Sequence, residues 1–356
     1  MKYYFSICWC IFCLTACKVS SADGDLIIIP VDVKQNSPVR LSEISDGITK
    51  IELETSEECL IGHIVQVLCV DDRIFVLDAQ GGSCIYVFDL SGKFLFDINN
   101  KGQGPGEFLY IRNITADIAK KHLYVASMGN KILIYDYDGN FIDENTKVSN
   151  PEYIRFENDL LHVFLYEPGR RTDNNTFINT TVMVRYYNEW QPIDTIVVKS
   201  VELNNLVGTA LPNIDFISQD NLNNLFIYYP VMLNEQFARD TLYMLDQNQL
   251  KPYAKLRFSD ENTSQQNKRL FSITHTSHLI IAEYLSITDK GKKYFCYDLN
   301  NKSGKNMTGG FLDDVYDTGL AEIRFLNNDY FYFIKEVEEF SDFEPNPVVY
   351  LGKFKK

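Results

Sequence analysis

Arg73-Ile74-Phe75-Val76-Leu77-Asp78, then Ile85-Tyr86-Val87-Phe88-Asp89, then Leu90-Ser91-Gly92-Lys93-Phe94-Leu95 read as strand, loop, strand, tight turn, strand. The same order returns in His122-Leu123-Tyr124-Val125-Ala126, Ile132-Leu133-Ile134-Tyr135-Asp136 and Tyr137-Asp138-Gly139-Asn140-Phe141-Ile142. Asp89 and Asp136 lie 47 residues apart, as do Gly92 and Gly139. The Asp-x-x-Gly step is hairpin chemistry, because glycine takes a positive φ without steric cost. A period of this length with several short strands in each unit indicates propeller blades.

Working outward, the strand signal recurs at Leu160–Tyr166, Leu225–Tyr229, Leu279–Glu283 and Tyr330–Lys335, which makes six copies. Each is followed by another strand, at Thr181–Tyr187, Thr241–Asp246, Lys293–Leu299 and Val348–Phe354. Long helical periodicity is missing; Asn262–Leu270 is expected as a short helix or turn. The last unit ends at Lys356 without room for its outermost strand, whereas Ile48–Glu54 alternates as a strand should. The expected fold is therefore all-β: a six-bladed β-propeller with four antiparallel strands per blade. The N-terminal strand closes the ring by completing the last blade, which removes two exposed sheet edges.

Composition agrees. The 356 residues carry 22 Tyr and 24 Phe, rings that suit a pleated surface. The net charge of -14, with no basic run longer than a pair, argues against nucleic acid as a partner. At the N-terminus, Lys2 precedes an apolar stretch, Tyr3 to Ala16, too short to span a bilayer. It ends Leu14-Thr15-Ala16-Cys17, which resembles the bacterial lipobox. That resemblance implies a signal peptide over 1–16 and lipid on Cys17; a tether is then expected over 17–46, with Leu26–Val31 a candidate additional strand, and the propeller over 47–356. The implied location is the cell envelope, with the membrane met through the lipid alone. Of the cysteines beyond Cys17, Cys69 and Cys296 sit in apolar strand contexts and read as buried thiols; Cys59 and Cys84 leave a disulfide open.

Lys101-Gly102-Gln103-Gly104-Pro105-Gly106-Glu107-Phe108, followed by Leu123-Tyr124-Val125 and the Ile132 to Gly139 unit, resembles the NHL repeat. Ile51-Glu52-Leu53-Glu54-Thr55, the Gly-Pro-Gly-Glu-Phe element, and Asp240-Thr241-Leu242-Tyr243 with Lys251-Pro252-Tyr253 resemble uncharacterised six-bladed β-propeller lipoproteins of Bacteroidota. The resemblance implies fold and envelope location and brings no catalytic residues with it.

Motifs that suggest chemistry have plainer readings. Gly102 to Gly106 lacks phosphate-loop spacing, and Pro105 removes a backbone donor, so a blade-to-blade crossover is expected. Asp136-Tyr137-Asp138-Gly139 opens like a calcium loop, but Lys147 stands where such a loop needs a bidentate Glu. His275 and His278 are expected in a wet turn.

The central channel offers more. Its lining strands are expected near Ile64–Val70, Ile111–Ala116, Tyr153–Phe156, Ile214–Ile217, Phe271–Thr274 and Glu322–Phe325. The candidate ligand-binding residues there are Arg155, Arg324, Asp215, Asn113, Gln66 and Arg112. Arg155 and Arg324, each within Ile-Arg-Phe, are expected on opposing blades at similar depth, where a carboxylate ligand would suit them. The leading expectation is a non-catalytic binding or scaffolding propeller for a glycan, a peptide or an envelope protein, with no catalytic residue and no cofactor. The alternative, which the NHL resemblance implies, is a lactonase or lyase with a divalent metal in the channel. Only Asp215, Asn113 and Gln66 would be on hand as its ligands.

Overall fold

Side-chain alternation along one strand explains the architecture. In Arg73–Asp78, Ile74 and Val76 pack with Ile51, Leu326 and Val349, whereas Phe75 and Leu77 pack with Ile111, Leu123 and Leu133. Both faces of the sheet are thus apolar, and each sheet is sandwiched between two others. The computed structural model describes residues 26–79, 83–187, 190–204, 215–230, 239–260, 268–286, 291–337 and 345–356. The expected signal segment and Cys17 lie outside them, as does most of the turn expected over Asn262–Leu270; Lys268–His275 is strand.

Six antiparallel sheets form the ring. The first blade is Ile64–Val70, Arg73–Asp78, Cys84–Asp89 and Phe94–Ile98, and the second is Ile111–Asp117, His122–Ser127, Lys131–Asp136 and Phe141–Asn145. The third has longer strands: Pro151–Glu157, Leu160–Arg171, Phe177–Tyr187 and Gln191–Leu203. The fourth is Ile217–Gln219, Leu225–Ile227, Thr241–Asp246 and Gln249–Phe258; the fifth is Lys268–His275, Leu279–Ser286, Gly291–Asp298 and Ser303–Thr308. The sixth takes Arg324–Phe325, Tyr330–Lys335 and Val348–Phe354 from the C-terminal end. Ser45–Glu52 completes it, antiparallel to Val348–Phe354, so the ring closes as the sequence predicts. A hairpin, Phe311–Asp313 with Gly319–Ala321, stands between the fifth and sixth blades. Hydrophobic clusters fill the junctions between successive blades, so each blade is stable only against its neighbours.

The expected tether needs correcting. From Leu26 onward the segment is part of the domain. Ile27–Val31 adds a fifth strand, parallel to Gln249–Phe258, on the outside of the fourth blade. Ile29 and Val31 are fully buried. The chain then crosses the fifth blade, where Ser37 donates its N–H to the Asn306 carbonyl at 2.8 Å. Val39 accepts from Leu312 N–H at 2.9 Å, and the short helix Leu41–Ile44 buries Leu41 and Ile44 before the closing strand begins. This segment straps the three blades together from outside. The sequence offers Leu26–Val31 as a strand but hides its partner, which lies more than two hundred residues away.

Candidate functional site

Polar side chains near the axis link several successive blades. Gln66 and Asn113 follow register shifts at Ile64/Gln66 and Ile111/Asn113, irregularities that re-aim side chains. Gln66 Nε2 donates to the Ile114 carbonyl at 2.9 Å, and its Oε1 accepts from Ile114 N–H at 2.9 Å. One blade on, Asn113 Nδ2 donates to the Ile154 carbonyl at 2.9 Å, and its Oδ1 accepts from Ile154 N–H at 2.8 Å. The two amides are 47 residues apart, one full repeat. Similar links follow: Phe156 N–H donates to Thr115 Oγ1, His275 N–H to Ser218 Oγ, and Val67 N–H to the Tyr332 hydroxyl. Gln66 and Asn113 thus act as clasps, because a buried amide pair left open would cost about 1–3 kcal/mol for each group.

The charged candidates gather near the axis. Arg155 and Arg324 hold matching register positions: each precedes a Phe paired with the second residue of the next strand, Phe156 with Leu161 and Phe325 with Phe331. Their side chains nevertheless border different cavities. Gln66, Arg112, Asn113, Tyr153, Asp215 and Arg324 line one of about 30 Å³, while Arg155, Glu157, Asp215, His275 and Asn328 line another of about 10 Å³. Both volumes suit ordered water and fall far short of a metabolite. Arg155 donates Nε and Nη2 to Glu157 Oε1 at 3.0 and 2.7 Å, and Nη2 to the Leu326 carbonyl across the ring at 2.8 Å. Arg324 Nη1 donates to the Val65 carbonyl at 3.4 Å, and Arg112 Nη2 to Asn150 Oδ1 at 3.3 Å. Asp215 borders both cavities and accepts from the Tyr153 hydroxyl at 3.3 Å. Burial pushes its carboxyl above the usual range, and the Arg155 and Arg324 charges offset this only in part.

A larger space lies away from the axis. A cleft of about 430 Å³ opens between the second and third blades, lined by His122, Tyr124, Phe156, Tyr186, Tyr187 and Trp190, with Lys120, Asp143 and Asp159 among its polar members. Tyr124 and Phe156 stack with an interplanar angle of 9°, centroids 5.8 Å apart. Trp190 meets both Tyr124 and Tyr186 edge-on, at 6.3 and 6.2 Å. Its Nε1–H donates to Asp143 Oδ2 at 3.1 Å. Tyr187 is 53% exposed. Sequence reasoning missed this group because its rings come from two blades. One local signal was available: Tyr186-Tyr187 and Trp190 bring three rings to the two sides of one hairpin turn.

The remaining motifs resolve structurally. The Gly102 to Phe108 stretch is the crossover from first to second blade: Lys131 Nζ donates to the Gly104 and Glu107 carbonyls, and Phe108 is fully buried. Asp136 Oδ1 accepts from Asp138 and Asn140 N–H, as a hairpin turn requires. His275, expected in a wet loop, instead ends a lining strand, buried and stacked on Phe226 at 4.2 Å. His278 sits in the turn and pairs with Ser277 Oγ. Cys59, Cys69, Cys84 and Cys296 are all free thiols, and burial pushes Cys59 and Cys296 up to about 12, which leaves them unreactive at neutral pH. Among the described residues no group of three or more His, Cys, Asp or Glu could hold a metal ion.

No protein of curated function matches the chain. Among solved structures, a Bacteroides fragilis protein named as exported is similar at 18% identity with a TM-score of 0.65, covering 92% of this chain and 100% of that one. At that identity the likeness shows the fold alone. The Cps50 (Swd1) β-propeller domain of Myceliophteria thermophila is more distant, at 11% identity and a TM-score of 0.46, with 85% of this chain and 98% of that one covered. A family model spans nearly the whole propeller together with its N-terminal strap, residues 26–352, and by that match the chain belongs to the family described as a domain of unknown function, DUF4934.

Proposed function

We propose that this chain is an exported, lipid-anchored propeller of the cell envelope that binds a ligand at its surface and does no chemistry at its axis. One observation carries this reading. The polar side chains at the axis are engaged with neighbouring blades, and the cavities there hold about 30 and 10 Å³, whereas an open cleft of about 430 Å³ lies between two blades. Export and anchoring rest on the Leu14 to Cys17 lipobox and are consistent with the name of the Bacteroides fragilis protein. The NHL-like character rests on the 47-residue repeat and the Gly104 to Phe108 crossover. The ligand would be a glycan, a peptide or an envelope protein. A metal-dependent lactonase or lyase finds no support in the donor set, which brings two carboxylates, Asp215 and Glu152, to the wider axial cavity.

Two measurements test the proposal. Cys17→Ser should release the protein from membranes or leave it unprocessed; fractionation with membranes like the parent would remove the anchor. Metal analysis of the purified chain should find no stoichiometric divalent ion. A bound ion would return the axis to consideration as a catalytic site.

A further inference from the structure

We propose that the cleft between the second and third blades is a carbohydrate site for a neutral glycan, with Trp190 and Tyr187 as the stacking surface. This deepens the reading of the chain as a surface-binding propeller and rests on it. The volume, about 430 Å³, falls within the usual range of small-molecule sites, about 300–1,000 Å³. The lining joins ring faces to a polar edge of both signs. Sugar rings present weakly positive C–H faces, which suit the negative face of an aromatic ring, and hydroxyls at the rim, which suit mixed donors and acceptors. Asp143 and Asp159 supply acceptors, and Lys120 and His122 supply nitrogen groups.

The rings are also held in place. Asp143 fixes the Trp190 indole through Nε1–H, and Tyr124 and Tyr186 brace it edge-on. A stacking side chain fixed before binding loses little freedom when the ligand arrives. Other ligand classes fit less well. An acidic ligand would meet the Asp143 and Asp159 carboxylates in a chain of net charge -14. A quaternary ammonium needs ring faces that look at each other across a gap. Here Trp190 stands edge-on to Tyr124 and Tyr186 at 6.3 and 6.2 Å, in direct contact, so these rings leave no gap between them.

The chain offers its own reporter. It has 2 Trp, Trp9 and Trp190, so the full chain carrying Trp9→Phe has its sole indole in the cleft. The probes are neutral tetrasaccharides of glucose, mannose, galactose and N-acetylglucosamine, with choline and tetragalacturonate as cationic and acidic comparisons. At least one neutral tetrasaccharide should shift Trp190 emission saturably, and Tyr187→Ala should weaken that binding about tenfold or more without moving the thermal midpoint. No saturation by about 10 mM with any neutral probe would overturn the proposal. Saturation by choline or tetragalacturonate alone would overturn the ligand class and leave surface binding standing. Neutral-saccharide binding unchanged in both Tyr187→Ala and Asp143→Ala would overturn the site.

Discussion

The axis and the cleft between the second and third blades are both rich in groups able to recognise a ligand, yet they differ in what those groups already touch. At the axis Gln66 and Asn113 each close a two-bond clasp on the next blade, and Arg155 spends its fork on Glu157 and the Leu326 carbonyl. In the cleft the rings brace one another and rest on the apolar junction between the blades, and Tyr187 faces solvent. Polar residues in a channel therefore identify a ligand site only when their bonds remain to be made. Here the axis supplies stability, and the cleft supplies surface.

If the axis holds the ring together, the largest effect should follow from opening it. Deleting residues 48 to 54 removes most of the closing strand and bares the edge of Val348–Phe354, and should abolish the cooperative thermal transition. A melting profile like the parent's would refute the closure. Deleting the strap strand Ile27–Val31 should lower the midpoint without abolishing the transition, because Ile29 and Val31 leave one junction and the closing strand stays.

A single clasp comes next. Asn113→Leu leaves Ile154 N–H and C=O without their partner and should cost about 2–4 kcal/mol in urea unfolding. A change below about 0.5 kcal/mol would show that the amide is incidental.

Acid sharpens the same contrast. Burial lowers both His162 and His275 from 6.5 to about 4. Between these values the unfolded chain takes up protons that the folded chain refuses. Stability should be full above pH 6.5 and fall towards pH 4, by up to about 3 kcal/mol for each histidine. Asp215 works the other way: its raised value favours the folded state at low pH, and that contribution is lost as pH rises through it. Urea midpoints measured across this range should flatten in His162→Gln; an unchanged slope would assign the acid limb to other groups.

The smallest effect belongs to the cleft. Tyr187→Ala should change stability by no more than about 0.5 kcal/mol, as its ring is 53% exposed. A loss as large as that of Asn113→Leu would make the cleft structural and erase the distinction.

Sequence alone determined the blades. The 47-residue spacing, the Asp-x-x-Gly turns and the runs of alternating core residues are local, so the strand order and the closing strand could be read directly, and the lining strands of the first three blades fell where expected, whereas the fourth is Ile217–Gln219. It also brought Gln66, Asn113, Asp215 and Arg324 to the axis, since alternation along a strand of known position fixes the face. Only the tertiary structure decided what those side chains do there. A hydrogen-bond partner such as Ile114 for Gln66, 48 residues away, depends on how one blade leans on the next. The same holds for the strap, whose strand Ile27–Val31 finds its edge on Gln249–Phe258, and for the cleft, which exists only because Tyr124 and Trp190 from different blades meet at 6.3 Å. Periodicity fixes each residue's place within its own blade; contacts between blades depend on the angle at which they pack, and no local pattern encodes that angle.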